Sequence, residues 1–76
     1  MRLTELAADL EALRSDLAEE LLAINRYEAQ TFTLADEEAR DAVARVLDDK
    51  KQHVGVLLAQ LRRLDVKQRE KLDRDG

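Results

Sequence analysis

Apolar residues recur along the first half of this chain in alternating steps of three and four. The series is Leu3, Leu6, Leu10, Leu13, Leu17, Glu20, Ile24, Tyr27, Thr31 and Leu34. Such spacing keeps every member on one side of an α-helix. A second series with the same steps follows: Val43, Val46, Lys50, His53, Leu57, Gln60 and Leu64. The pattern predicts helix one over about 4–34, with Thr4 as N-cap, and helix two over about 36–64. Asp36, Glu37 and Glu38 mark the second start, because carboxylates there complement the helix dipole. Asp65 reads as the cap of a short third helix over about 66–72, after which the charged end from Asp73 to Gly76 is expected to fray.

A turn near residue 35 makes the two long helices antiparallel. Residues equidistant from that turn then face one another, so Glu20 meets Lys50 and Tyr27 meets Val43. His53 lies three positions beyond Lys50, on the same side of its helix. The three polar interruptions of the apolar stripes therefore share one layer. Ionised groups in a small helical core are costly unless paired or metal-bound, and that layer is where function is sought.

Composition agrees with an all-α hairpin in a single domain spanning residues 1–76. The 76-residue chain has no Pro, two Gly, 39% charged residues and no Cys. That favours long helices and excludes disulfide scaffolds, thiolate metal sites and cysteine nucleophiles. No apolar run approaches a membrane span, and the start of the chain lacks a signal-peptide core, so a soluble cytoplasmic protein is expected. A formal net charge of −4 argues against nucleic acid as the main partner. Residues 1–49 carry 13 acidic against 5 basic side chains, and residues 50–76 carry 4 against 8. The asymmetry reads either as complementarity between helices or subunits, or as an acidic surface that gathers cations. No phosphate-cradling Gly-rich loop, Ser/His/Asp arrangement, internal repeat or flexible linker is present.

One domain of this size has difficulty closing a core alone. Leu21 and Leu22 widen the apolar side of helix one, and Val54, Val56, Leu58 and Leu61 widen that of helix two. Pairing of two hairpins into a four-helix bundle is the simplest way to cover them. Gly55 interrupts helix two at a cost of up to about 1 kcal/mol relative to Ala. Close approach of another helix and an ordinary solvent-facing glycine both account for it.

The polar layer supports two readings. Inward carboxylates with a Glu-x-x-His step hold metal in helical bundles, but the step here is Lys50-Lys51-Gln52-His53. The nearest carboxylate, Asp49, is rotated by about 100° around the helix. Alternatively, Glu20 and Lys50 form an ion pair in which the ammonium stands where a metal would. His53 is then a hydrogen-bonded core residue and Tyr27 a packed one.

The run from Glu19 to Glu28 (EELLAINRYE), followed by Lys51-Gln52-His53-Val54-Gly55 and by Leu64-Asp65-Val66-Lys67-Gln68, resembles the encapsulated ferritins. These are the short ferritin-like domains associated with or fused to encapsulin shell proteins, and the likeness spans roughly residues 10–70. It implies a two-helix half-ferritin that dimerises into a four-helix bundle with an intersubunit di-iron ferroxidase centre. It further implies a homo-oligomer in the cytoplasm, packaged inside an encapsulin nanocompartment. On the resemblance, Glu20 and His53 correspond to iron ligands, Tyr27 to a tyrosine behind them and Glu19 to an acidic residue at the metal entry. The family's bridging glutamate falls on Lys50. That exchange sets an ammonium where a carboxylate belongs, and at about 4 Å it opposes a metal cation by about 4 kcal/mol at an effective dielectric near 20. Two expectations follow: an iron-binding ferritin-like protein with an altered ferroxidase site, or a metal-silent assembly module held by a Glu20–Lys50 pair.

Overall fold

A computed structural model describes residues 1–75, apart from the side chain of Asp75, and Gly76 lies outside the described residues. Two helices, α1 (Leu3–Thr33) and α2 (Glu37–Asp75), form an all-helical hairpin. Its extents are 57 × 14 × 14 Å. At about 1.5 Å per residue, α2 alone accounts for the long dimension. Among the described residues no helix is long and apolar enough to cross a membrane.

The helix starts depend on carboxylates. Glu5 accepts a hydrogen bond from the backbone N–H of Arg2 at 3.4 Å, so α1 begins one turn-fraction before the Thr4 cap expected from the sequence. Asp36 caps α2, its Oδ2 accepting from the backbone N–H of Ala39 at 2.8 Å. Between the helices only Leu34, Ala35 and Asp36 are non-helical. The amide of Leu34 still donates to the Gln30 carbonyl at 2.9 Å, closing α1.

The separate helix expected over 66–72 does not exist, because α2 passes through Asp65 without a break. Residues Asp73 to Asp75, expected to fray, are helical as well. The reason is packing. Leu61 and Leu64 form the buried cluster with Leu6 and Leu10, and Leu13 and Leu17 pack against it. Ending α2 at residue 64 would strand this cluster at a helix end. Asp65 instead accepts from Arg14 of α1 at 3.4 Å.

Every member of the α1 series is buried or half-buried. The α2 series needs correction. Val46 is 41% exposed, and His53 and Gln60 are exposed as well. The true seam runs through Val43, Leu47, Lys50, Val54, Leu57, Leu61, Leu64, Gln68 and Lys71, all buried or half-buried. At each ambiguous step the helix turns its more apolar neighbour inward: Leu47 over Val46, Val54 over His53, Leu61 over Gln60. Transfer of those side chains from water decides the rotation.

Surface area shows how incomplete the packing is. The chain exposes 5770 Å², whereas a compact monomer of 8.7 kDa exposes about 4,700 Å². Large apolar side chains account for part of the excess, notably Phe32 at 85%, Leu22 at 70% and Val56 at 63% exposure.

Candidate functional site

Midway along the rod the leucine seam gives way to charge. Glu20 projects from α1 and Lys50 from α2, and Lys50 Nζ donates to Glu20 Oε1 at 3.3 Å. Both side chains are largely shielded, at 19% and 27% exposure. The residues lie at equal distances from the connection, so the hairpin brings them opposite one another as the spacing predicts.

His53 belongs to this layer but sits at its edge. Its side chain is 56% exposed, and Nδ1 stands 3.6 Å from Glu20 Oε2. That separation is longer than a hydrogen bond of normal strength. Glu20 Oε2 is accordingly a buried acceptor with no hydrogen-bond partner among the described residues. One oxygen of the carboxylate is thus taken by an ammonium, and the other faces an imidazole without being satisfied by it.

An open groove of ≈ 310 Å³ runs beside the layer, lined by Asp16, Glu19, Glu20, His53, Val56 and Leu57. Glu19 lines this groove and is exposed. Asp16 is the member that the apolar series does not single out. Its spacing carries the signal, since Asp16 and Glu20 are four residues apart and share a helix side. Asp49 is exposed and does not line the groove.

Tyr27 engages elsewhere. Its hydroxyl accepts from Arg26 Nη2 at 3.1 Å, and the Arg26 guanidinium carbon lies 4.9 Å from the ring centroid. The phenol is therefore held by its sequence neighbour, and the described contacts of Glu20 do not include it.

The donor set fits a two-metal centre poorly. Among the described residues no group of three or more His, Cys, Asp and Glu side chains converges to hold a metal ion. Within the layer, Glu20 offers one buried oxygen that has no hydrogen-bond partner among the described residues, His53 offers one imidazole, and a cation is already on the carboxylate. Four donors around one ion would need Glu20 and His53 from each of two chains. No protein-family model, curated protein or solved structure matches the chain.

Proposed function

We propose that the chain is a ferritin-like protomer of the encapsulated-ferritin type that works as an assembly module. Two hairpins pair into a four-helix bundle, and Lys50 supplies an internal cation in the layer where proteins of that type hold iron. The contact between Lys50 Nζ and Glu20 Oε1 at 3.3 Å carries this reading. A lysine ammonium within hydrogen-bond reach neutralises the carboxylate that would otherwise attract a metal. Unmet apolar surface supports pairing: a standard interface covers about 800 Å² per partner, comparable with the excess area of the isolated hairpin. The setting proposed is the cytoplasm, within an encapsulin shell.

A second reading rests on Glu20 Oε2, which is buried and unpartnered. Joined with His53, it makes half of a site for one iron ion shared between two chains. Carboxylate and imidazole donors suit that ion, and the chemistry supplied would be oxidation of Fe(II) by O₂.

Aerobic Fe(II) titration of the native protein, followed by absorbance and by metal analysis, separates the two. The assembly reading expects oxidation at the buffer rate and no retained iron. Retention of about one iron per two chains would select the second reading. Sedimentation tests the pairing itself, since a monomer at micromolar concentration would overturn both.

A further inference from the structure

The two ends of the rod are unlike. α1 has 31 residues and α2 has 39. Both adjoin the same short connection, so the last turns of α2 run about 12 Å past the first turn of α1. At that open end Lys67, Lys71 and Arg74 follow one another in steps of four and three, which places them on one side of the helix. Together with Met1, Leu6 and Glu70 they line a groove of ≈ 220 Å³. None of the three cations forms an ion pair among the described residues.

The connection end is acidic and carries an uncovered aromatic ring. Residues 28–41 hold 5 acidic and 1 basic side chain, whereas residues 66–74 hold 2 acidic and 4 basic. Phe32 is 85% exposed, the largest fraction among the described large apolar side chains. Glu28 lies one helical turn before it, on the same side. The turn that presents Phe32 is tied down, because the hydroxyls of Thr31 and Thr33 donate to the Glu28 and Ala29 carbonyls at 2.6 and 3.3 Å. A ring held on an ordered turn loses little freedom on docking.

We infer that copies of the chain associate end to end, with Phe32 of one copy seated in the groove that Lys67, Lys71 and Arg74 line on the next. This contact is separate from the lateral pairing proposed above and does not depend on it. Size, polarity and charge all favour this occupant. Benzene fills an apolar cavity of about 150 Å³, so a groove of ≈ 220 Å³ admits a phenyl ring. Met1 and Leu6 offer the ring apolar contact, and the ammonium and guanidinium groups attract its face. Glu28, Glu37 and Glu38 of the incoming copy then approach a rim on which Glu70 is the one carboxylate beside the three cations. Because the ring and its groove lie at opposite ends of one chain, the contact is heterologous and association does not close on itself.

Sedimentation of the full chain across a concentration series tests this. Contacts this small are weak, so the average mass of the native protein should keep rising between about 0.01 and 1 mM without a plateau. Phe32→Ser should lower the end-to-end association constant about tenfold or more, since the contact loses its buried ring. Its exposed position leaves the helical circular dichroism unchanged. Lys67→Glu combined with Lys71→Glu should weaken association similarly. Mixing the two variants is the decisive step. One retains the groove and the other the ring, so the mixture should form species heavier than either variant forms alone. A twofold contact weakened in both variants would not recover in this way. A native plateau at a dimer would overturn the inference and leave the lateral pairing intact, and a plateau at a monomer would overturn both. Undiminished growth of Phe32→Ser, or no gain on mixing, would overturn the inference as well. Raising salt from about 0.05 to 0.5 M should weaken growth severalfold, because the matched charges are exposed, and unchanged growth would contradict the charge argument.

Discussion

Lys50 Nζ and Glu20 Oε1 meet at 3.3 Å although 30 positions separate the two residues. Each stands at an apolar position of its helix seam, so a charge pair interrupts the leucine contacts between α1 and α2. Removing the partner of a half-buried charge costs more than a surface pair contributes and less than the 3–5 kcal/mol of a fully buried one. Lys50→Met should therefore destabilise the protein by about 1–3 kcal/mol. Glu20→Gln added to that variant should restore most of the loss. Urea unfolding at fixed protein concentration reads both, and additive losses would mean the two residues are not coupled.

Leu10 is fully buried at the open end of the rod and packs with Leu6, Leu61 and Leu64. Truncation to Ala should cost about 2–5 kcal/mol. Because a domain this small has little stability to lose, Leu10→Ala is expected to lose most of its helical circular dichroism at 25 °C. A change in midpoint no larger than that of Glu11→Ala, an exposed neighbour, would mean the cluster is not the main source of cohesion.

The cap of α2 rests on one side chain. Asp36→Ala removes the acceptor for the Ala39 amide, which is held at 2.8 Å, and should cost about 1 kcal/mol. Asp36→Asn should retain most of the stability, since an amide oxygen can accept the same bond. Thermal unfolding of the pair checks this, and equal losses would assign the role of Asp36 to its charge at the helix start.

Gly55 offers a test of which faces are covered. A Cβ built there meets nothing within 4 Å among the described residues. Gly55→Ala should therefore stabilise the protein by about 1 kcal/mol through helix propensity. It should also leave the sedimentation behaviour unchanged, because the added methyl group meets no neighbouring side chain among the described residues. Loss of assembly in this variant would show that a second helix approaches closely at Gly55.

Much of this structure is legible in the chain. The α1 series is unambiguous because each step offers one apolar candidate, and all its members turn inward. In α2 the steps at 46 or 47, 53 or 54 and 60 or 61 each offer two candidates. Periodicity alone does not choose between them, and burial of the larger or more apolar neighbour does. That choice moves His53 from the core to the edge of the layer, where half of its side chain meets water. Asp65 misleads for a related reason: it is a good cap by type, but the leucines before it already commit α2 to continue. The meeting of Glu20 with Lys50 and His53 followed from arithmetic about the turn. The engagement of Tyr27 by Arg26 did not, since a contact between sequence neighbours depends on rotamers that spacing does not encode.

The central claim is that the Lys50 ammonium occupies the place of a metal ion. The most direct test loads native protein and Lys50→Glu with Fe(II) under identical conditions, desalts both and measures iron per chain. The account predicts no stoichiometric iron in the native protein and about one or more per pair of chains in the variant. Stoichiometric iron in the native protein, or none in either, would contradict it.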